Sequence, residues 1–535
     1  MDPTSAPGPD GIPAFFYRDY SDILAQPLNM IFRLSLDTGK LTEGRAQAII
    51  SPQFKGGSRC EPANYRPVAL TNHLTKILER LIRKELVEYL ETNHLTNNSQ
   101  HGFRAGRSTI TQLLCYLDDI YNKLEKGEEV DSVYLDFAKA FDKVDHGILL
   151  GKLNALNIGG KILKWIERFL CNREQRVKVA NSLSDPVTVT SGVPQGSVIG
   201  PLLFLVMMLD IDKDVIHSDL GSFSDDTKVL NKIDTSHADE GSSKLQCDLD
   251  TLFSWAEANN MKFNGKKFQC ISFGSSNRVP QYTTSTRQNI EVKDCVNDLG
   301  VLLEDNLLFH KHIKSMAAKG HRMAGWSFRT IKDRKTSTLL TILKSLVIPQ
   351  TEYASVVWTP HDQVHINILE GVQRRFTSRF PLFRQFDSNS NSYVCNVEYE
   401  DRLKALQLYS TQRRHERYLI IFIFKIVNNF VPNPGLTIKY NPRTKTRVEP
   451  KSPQSSAIAR WISRARKNSF FVHAPRLYNA LPRDLRERDL SVSPTKSRLN
   501  TYKRMLDHHI KDFPDMPGQT HNGLPLEPIA EGSVP

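Results

Sequence analysis

The sequence predicts an α+β protein built from more than one lobe, and three observations lead to this class. The 535 residues exceed the length of one ordinary domain, so two or three lobes are expected. Amphipathic helical patterns recur along the chain, and short β-branched or aromatic runs that end in acidic residues lie between them. Hydrophobic residues make up 39% of the chain, which is enough for cores, and 24% charged residues suit a soluble protein.

Two amphipathic helices are predicted in the first 130 residues. The first runs from His73 to Tyr89 and the second from Ile110 to Leu124. The apolar face of the first carries Leu74, Leu78, Leu81, Ile82, Leu86 and Tyr89, with Glu79, Arg80, Arg83 and Lys84 largely opposite. The second has the same spacing at Leu113, Leu114, Leu117, Ile120 and Tyr121. These stripes predict packing helices with no role beyond the core.

The next predicted elements are short strands that end in carboxylates. Ser132–Leu135 leads to Asp136, and 221–230 holds the adjacent pair Asp225 and Asp226 between apolar flanks. An unpaired buried charge is very costly, and two like charges side by side increase that cost, so such acids call for a cation. Hard oxygen ligands select Mg²⁺ or Mn²⁺. The pattern therefore predicts two-metal phosphoryl chemistry.

A polar hairpin turn is the alternative interpretation of an Asp-Asp pair, because Asp is common where a chain reverses. The apolar residues on both sides of the pair favour a turn between two half-buried strands instead. A loop between the two acidic sites, 191–204, adds Gly and Pro followed by an apolar run that predicts a helix. In this loop Gly196 allows close backbone approach to a ligand, and Gln195 can donate and accept hydrogen bonds.

Composition favours one class of partner and argues against several classes of protein. The net charge of +13 favours a polyanion, although a generally basic, solvated surface explains it equally well. Seven cysteines without C-x-x-C spacing argue against a zinc site and a secreted disulfide framework, and favour a reducing interior. The apolar runs 202–209 and 419–424 are too short to span a bilayer, and the first residues lack a signal-peptide pattern.

In combination, these motifs resemble the palm of a reverse transcriptase. The order LDFAKAFD (135–142), SGVPQGSVIGPLLF (191–204) and FSDD (223–226) is similar to the polymerases of non-LTR retrotransposons of the jockey/LINE type. Supporting segments lie at 5–13, 64–70, 100–109, 261–267, 298–301, 346–358 and 372–375.

The resemblance implies a right-hand polymerase fold. Fingers are expected at 1–130, a palm with an antiparallel sheet at 131–310 and a helical thumb at 311–384. A mostly helical, basic C-terminal region (385–514) and a disordered, Pro- and Gly-rich tail (515–535) would follow.

The implied activity is RNA-directed DNA polymerisation. An RNA template, a DNA primer or target DNA, and dNTPs are the expected partners, without a membrane and with the oligomeric state left open. The resemblance further implies target-primed copying of the element's own RNA at a nicked chromosomal site. The expected location is therefore intracellular: the nucleus for integration, with ribonucleoprotein assembly in the cytoplasm.

The resemblance also assigns the catalytic residues. Asp136, Asp225 and Asp226 are expected to hold two Mg²⁺ ions, with Mn²⁺ as an alternative and the backbone carbonyl of Phe137 as a further ligand. Such ions would activate the primer 3′-hydroxyl and clamp the triphosphate. Lys267 matches the lysine that protonates the departing pyrophosphate, although the adjacent Lys266 leaves this assignment open.

The expected nucleotide-binding residues are Lys55, Arg66, Phe141, Gln195 and Gly196. Lys55 and Arg66 would meet the triphosphate, with an exposed fingers surface as the alternative. The Phe141 ring would exclude a ribose 2′-hydroxyl sterically, and a core role is its alternative. Gln195 and Gly196 would touch the nascent base pair and the template strand.

Arg104 and Ser108 are the expected template-binding residues. A separate basic cluster of Arg460, Arg464, Arg466 and Lys467, interleaved with Trp461 and Phe470, is expected to grip RNA or DNA. If this segment is helical, Arg460, Arg464 and Lys467 share one face. A solvated helix face packed on the thumb is the alternative for the cluster.

Two rival interpretations remain at this level. One is an inactive or domesticated nucleic-acid-binding protein that retains the fold, and the presence of all three aspartates disfavours it. The other is an intron maturase or a telomerase-like polymerase, against which the segments at 100–104, 298–301 and 372–375 argue. Ser224, Leu209 and Phe268 depart from the family pattern without removing a catalytic group. The chain begins inside a family motif without a preceding endonuclease, which suggests a fragment or a truncated copy.

Overall fold

The computed structural model describes residues 2–39, 47–171, 173–274, 278–388, 390, 392–431, 436, 438–439, 447–452, 460–486, 493–511, 513 and 515. The predicted disordered tail lies outside the described residues apart from Asp515. None of the described helices combines the length and apolar character needed to cross a membrane.

Helices make up most of the regular structure. Their bounds are α1 Ala14–Asp19, α2 Ser21–Thr38, α3 His73–Thr92, α4 Thr109–Leu124, α5 His146–Ala155, α6 Gly160–Leu170, α7 Gly200–Met207, α8 Ala238–Ala258, α9 His310–Thr330, α10 Thr336–Ile342, α11 Ile348–Glu352, α12 Ser355–Trp358, α13 Gln363–Thr377, α14 Tyr399–Leu406, α15 Thr411–Val427, α16 Arg460–Lys467, α17 Phe470–Ala480, α18 Arg483–Arg486 and α19 Lys496–Ile510. Short 3₁₀ turns at Ala140–Asp142 and Gly265–Lys267 lie beside the acidic site described below.

The strands form two larger sheets and two hairpins. Their bounds are β1 Gln47–Phe54, β2 Tyr65–Leu70, β3 Glu129–Leu135, β4 Arg173–Val179, β5 Ser182–Leu183, β6 Val187–Val189, β7 Asp219–Phe223, β8 Asp226–Ile233, β9 Gln269–Phe273, β10 Glu291–Val292, β11 Cys295–Asp298, β12 Val301–Glu304, β13 Arg384–Asp387 and β14 Ser392–Cys395. The first sheet has the order β2-β1-β4-β5 with β6 also paired to β4, and the central sheet has the order β10-β9-β3-β8-β7. Within the central sheet only β10 runs parallel to its neighbour.

The central sheet separates two hydrophobic cores, because neighbouring residues of a strand point to opposite faces. Val229 and Cys270 lie in one core with residues of α3 and α5 to α8. Leu230 and Ile271 lie in the other with residues of α4, α9 and the C-terminal helices. The α+β class is confirmed.

The two helices predicted in the first 130 residues are confirmed as α3 and α4, with two exceptions at single residues of α3. Leu81, expected in the apolar face, is 53% exposed, and Glu79, expected on the solvent side, is fully buried. A helical stripe fixes which residues share a face, but it does not show what packs on the neighbouring face. In α3 that neighbour is the loop preceding α7.

The basic cluster of the C-terminal region divides into two parts. Arg460, Arg464 and Lys467 are exposed on one face of α16, as the helical spacing predicts. Arg466 is 2% exposed, and its guanidinium forms ion pairs with Asp118 (3.1 Å) and Glu125 (3.2 Å). The prediction that all four residues face nucleic acid was therefore wrong for Arg466, which joins α16 to α4.

Candidate active site

Three carboxylates lie at one end of the central sheet. Asp136 directly follows β3, and Asp226 begins β8. The antiparallel register pairs Leu135 with Thr227, so the next position along each strand brings Asp136 beside Asp226. Asp225 lies in the two-residue loop between β7 and β8, since Phe223 pairs with Asp226. The fold thus joins two acidic sites separated by 89 positions in the sequence.

The three carboxylates at this end of the sheet repel one another. Asp226 is solvent-exposed as a residue, yet the protein around its carboxyl raises its pKa to about 6. Loss of hydration is the largest cause, followed by the charges of Asp225 and Asp136. Among the described residues, no lysine or arginine lies within ion-pair distance of Asp225 or Asp226.

Within the described parts of the chain, one cationic side chain contacts these carboxylates. Lys267, exposed on the 3₁₀ turn at Gly265–Lys267, places its Nζ 2.6 Å from Asp136 Oδ2. The geometry therefore distinguishes Lys267 from its neighbour Lys266, a choice that the sequence left open. The role of Lys267 as a proton donor stays a prediction.

The acidic group fits a hard divalent cation. Its donors are carboxylate oxygens, which Mg²⁺ and Mn²⁺ prefer. The Lys267 ammonium already stands against Asp136 where a positive charge is needed. A cation would also reverse the repulsion that raises the pKa of Asp226.

A second group of potential metal ligands, His310, Asp362 and His365, has its ligand atoms within 4.8 Å of one another. The imidazole rings of His310 and His365 stack at 4.2 Å with 8° between their planes. Their in-plane lone pairs therefore lie in two nearly parallel, separated planes and do not converge on one ion. Asp362 instead caps α13, accepting from the backbone N–H of His365 at 3.0 Å.

The chain after Asp136 is fixed by an isolated bridge between Phe137 and Phe263. The Asn264 N–H donates to the Asp136 carbonyl, and the Ala138 N–H donates to the Lys262 carbonyl, both at 2.7 Å. Neither bond uses the Phe137 carbonyl, which the sequence assigned as a metal ligand. The Phe137 ring itself is buried and stacks on Phe263 at 4.2 Å.

The loop that carries Gln195 and Gly196 is held against β2. The Ala69 N–H donates to the Gln195 carbonyl at 2.6 Å. Gly196 has φ +117°, and a Cβ there would lie 2.5 Å from the Ala69 carbonyl oxygen, so both its conformation and the space require glycine. The Gln195 side chain donates to Asp142 Oδ1 at 3.0 Å. Asp142 therefore orients Gln195.

The same loop is anchored from beneath by Glu79 of α3. Glu79 Oε2 accepts hydrogen bonds from the N–H groups of Val198 (2.6 Å) and Ile199 (3.0 Å), directly before α7. Burial raises the Glu79 pKa to about 7. Sequence analysis missed this residue because its partners lie 119 and 120 positions away. The position of Glu79 directly before Arg80, Arg83 and Lys84 was the only signal in the sequence.

Phe141 is half-buried on the 3₁₀ turn after Asp136. Its ring stacks on Phe204 of α7 at 4.5 Å and meets Phe103 edge-on at 6.0 Å. The N–H of Val193 donates to its carbonyl at 2.8 Å. The ring is thus held rigidly while remaining partly open to solvent, so both the sugar-selecting role and the core role stay compatible with its position.

Lys55 and Arg66 lie exposed at the end of the β1–β2 hairpin, where the Lys55 N–H donates to the Asn64 carbonyl at 2.8 Å. Lys55 is close enough to Asp142 for its charge to oppose the rise in the pKa of that carboxyl, which burial causes. The hairpin therefore carries positive charge toward the acidic end of the palm.

Arg104 and Ser108 are engaged within the protein. Arg104 pairs with Glu91 through Nη2 at 2.9 Å and through Nε at 3.1 Å, and it donates to the Asn97 carbonyl at 2.5 Å. The Ser108 hydroxyl caps α4 by accepting from the Thr111 N–H at 3.3 Å. These contacts disfavour direct template binding by either side chain, and that role stays a prediction.

Comparison with known proteins identifies similar chains. The family described as "Reverse transcriptase (RNA-dependent DNA polymerase)" matches residues 54–303. The probable RNA-directed DNA polymerase from transposon X-element of Drosophila melanogaster is 28% identical over 61% of this chain and 37% of that protein. The RNA-directed DNA polymerase from mobile element jockey of the same organism is 28% identical over 70% of this chain and 42% of that protein. The chain thus spans less than half the length of these relatives.

Solved structures also show partial likeness to this chain, as the following example illustrates. The structure of apo telomerase from Candida tropicalis, truncated from its C-terminal domain, has a TM-score of 0.36 and 10% sequence identity. The superposition covers 50% of this chain and 54% of that one.

Proposed function

Because residues 54–303 belong to the reverse transcriptase family, we propose that this chain is the RNA-directed DNA polymerase of a non-LTR retrotransposon. It adds dNTPs to a primer 3′-hydroxyl on an RNA template. The right-hand polymerase fold is confirmed by the family match together with the mostly antiparallel central sheet and its flanking helices. The observation that carries the proposal is the meeting of Asp136, Asp225 and Asp226 at one end of that sheet.

In this proposal the three aspartates hold two Mg²⁺ ions. When bound, these ions lower the pKa of the primer 3′-hydroxyl and stabilise the charge on the triphosphate. Lys267, already beside Asp136, donates a proton to the leaving pyrophosphate. Lys55 and Arg66, exposed on the β1–β2 hairpin, supply positive charge to the triphosphate.

Selection of the nucleotide rests on two rigid features. The Phe141 ring, braced by Phe204, stands close to Asp136 in the chain and excludes a 2′-hydroxyl by its bulk. The Gln195–Gly196 backbone, fixed against Ala69, contacts the nascent base pair. These residues must be held rigidly, because a mobile ring or loop would discriminate less well between the correct and the incorrect nucleotide.

The nucleic-acid duplex is proposed to contact the exposed face of α9. Lys314, Lys319, Arg322 and Arg329 lie exposed on this helix around Trp326, which is 47% exposed. The small residue Ala318 lies on the same face, so a backbone can approach closely. Cationic side chains neutralise phosphates, and an exposed indole can contact sugars or bases.

The setting proposed for this activity is target-primed copying of the element's own RNA at a nicked chromosomal site. The protein would act in the nucleus after assembling with RNA in the cytoplasm. An inactive nucleic-acid-binding protein would have no need to retain all three carboxylates at one end of the sheet.

Primer extension on an RNA template tests the proposal, with the Asp225→Asn variant compared with the wild type. The amide removes a charged ligand but little volume, so extension should fall by about a thousandfold or more. Asp219→Asn is the matched control, because Asp219 is an exposed residue of β7 paired with Lys123. That control should extend within about twofold of the wild type. Extension by Asp225→Asn within a few-fold of wild type would contradict the proposal.

A further inference from the structure

The segment 99–102 runs beside β7 and ends at the catalytic loop. The Ser222 N–H donates to the Ser99 carbonyl at 3.0 Å, and the His101 N–H donates to the Ser222 carbonyl at 2.9 Å. Gln100 and Ser222 thereby form an isolated parallel bridge. The segment extends the sheet by a short, irregular pairing next to the loop that holds Asp225.

Beyond the bridge to Ser222, the side chain of Gln100 forms hydrogen bonds with the backbone of Ser224. Its Nε2 donates to the Ser224 carbonyl at 3.1 Å, and its Oε1 accepts from the Ser224 N–H at 2.8 Å. Oε1 also accepts from the Gly102 N–H at 2.7 Å. One amide group therefore binds both backbone polar groups of the residue that precedes Asp225. Gln100 is 8% exposed, so water competes little for these bonds.

Ser224, the residue bound by the Gln100 side chain, has an unfavourable backbone conformation. Ser224 has φ +61°, in the left-handed region that residues other than glycine rarely adopt. Such a conformation persists only where surrounding contacts hold it. The fit is close, since a Cβ on Gly102 would lie 2.4 Å from the Ser224 nitrogen. The segment 100–102 and the loop are thus shaped to each other.

We infer that Gln100 is a positioning residue for catalysis, which sets the place of Asp225 and Asp226 through the backbone of Ser224. This inference rests on the proposed polymerase function. Gln100 touches no reacting atom; it fixes the loop that carries Asp225 and leads into Asp226. Small displacements of the reacting groups slow a reaction strongly. Loss of the hydrogen bonds between Gln100 and Ser224 therefore lowers kcat more than it weakens substrate binding.

The test compares Gln100→Met with Gln112→Met, a matched pair of buried glutamines in the same lobe. Gln112 is 3% exposed, and its Nε2 has no hydrogen-bond partner among the described residues. Primer extension on an RNA template gives kcat and KM for both variants. Hydrogen exchange measured by mass spectrometry reports separately on the loop and on α4.

The expected result for Gln100→Met is a fall in kcat of about 10- to 100-fold with KM within about threefold of wild type. Amide exchange should accelerate in peptides covering 221–226 and stay unchanged in α4. Gln112→Met should keep kcat within about twofold. A kcat for Gln100→Met within threefold of wild type, or unchanged exchange in the loop, would overturn the inference.

Two further outcomes are decisive. Accelerated exchange throughout the lobe, with an equal loss of kcat in both variants, would show a merely structural role and overturn the inference. A wild-type protein without RNA-templated extension would contradict the proposed function. The exchange data would still show whether Gln100 holds the loop, so the two failures are distinguishable.

Discussion

The acidic end of the palm and the junction between α16 and α4 place charge in opposite ways. At the palm, three carboxylates that are half-buried or exposed face one neighbouring lysine of the described residues, Lys267. At the junction, Arg466 is 2% exposed and bound by the carboxylates of Asp118 and Glu125. Lys451 also pairs with Asp118. Charges compensated within the protein hold elements together, whereas uncompensated charges are available to an external ion or ligand.

A similar contrast exists within the palm itself. Two residues after Asp226, Lys228 is buried and paired with Asp298. Tyr134 donates to the same Asp298 at 3.2 Å, and the Lys228 ammonium lies 3.9 Å from the centre of the Tyr116 ring. One strand thus carries an uncompensated charge at its start and a compensated one inside. The number of charged residues in a segment does not reveal this difference.

The largest effect on stability is expected from Arg466→Met. Removing one partner of a buried ion pair leaves uncompensated charge, which costs about 3–5 kcal/mol. We expect the free energy of unfolding of the C-terminal region, measured by urea denaturation, to fall by that order. Lys467→Met, a neighbouring exposed residue, should change it by less than about 0.5 kcal/mol. Equal effects of the two variants would remove the distinction between compensated and exposed cations.

A pH-dependent effect is expected from Glu79, a buried acid whose carboxylate accepts hydrogen bonds from the backbone N–H groups of Val198 and Ile199. Its pKa is raised by burial from 4.5 to about 7, against the opposing charges of Lys76 and Arg173. The folded state therefore favours the protonated form. The resulting stabilisation is complete below about pH 4.5 and is lost as the pH rises through 7.

Urea unfolding at pH 5 and pH 8 measures this contribution. Relative to Glu79→Gln, the wild type should lose stability between these values on the order of 3 kcal/mol. Subtracting the free energy of unfolding of the variant from that of the wild type removes the contribution of other titrating groups, which both proteins share. If the stability difference between wild type and Glu79→Gln were the same at both pH values, Glu79 would stay charged throughout, and its charge would be compensated within the protein.

An effect on specificity is expected from Phe141→Ala. Removing the ring should admit ribonucleotides, and the preference for dNTP over NTP should fall by tens to hundreds of fold, about 1–3 kcal/mol. Parallel single-nucleotide extensions with dNTP and NTP measure the ratio. The rate with dNTP serves as the control for a damaged core. An unchanged ratio would assign Phe141 to packing against Phe204 alone.

The smallest effect is expected from the exposed face of α16. Changing Arg460, Arg464 and Lys467 to Gln should weaken RNA binding and flatten its salt dependence. The log–log slope should change by up to about 0.7–0.9 for each phosphate that is no longer neutralised. A matched triple variant of α6, at Lys161, Lys164 and Arg168, removes the same charge from another exposed face. Equal slopes for the two triple variants would mean that net charge alone matters.

The sequence predicted those parts of the molecule that depend on local patterns. The stripes of α3 and α4 were correct apart from Leu81 and Glu79. The strand that ends before Asp136 and the strand that begins at Asp226 lie where their composition indicated. Period and local composition determine such elements because they act over a few residues.

Contacts between distant segments could not be predicted in the same way. Gln100 binds Ser224 across 124 positions, and Arg466 binds Asp118 across 348. Arg466 looked like its exposed neighbours in composition, and only the packing of α16 on α4 distinguishes it. Arg104 likewise resembled a template-binding residue, whereas its guanidinium is bound by Glu91. The orientation of a charged side chain depends on tertiary packing, which a local pattern does not contain.

The central claim, that the uncompensated palm carboxylates hold divalent cations, is tested most directly by iron-directed cleavage. Fe²⁺ in place of Mg²⁺, with ascorbate and peroxide, cuts the backbone close to the bound ion, and mass spectrometry maps the cuts. We predict cuts beside Asp136 and within 224–226, suppressed by excess Mg²⁺ and lost in Asp225→Asn. Cuts confined to other places, such as the group formed by His310, Asp362 and His365, or cuts at the palm that persist in Asp225→Asn, would contradict the claim.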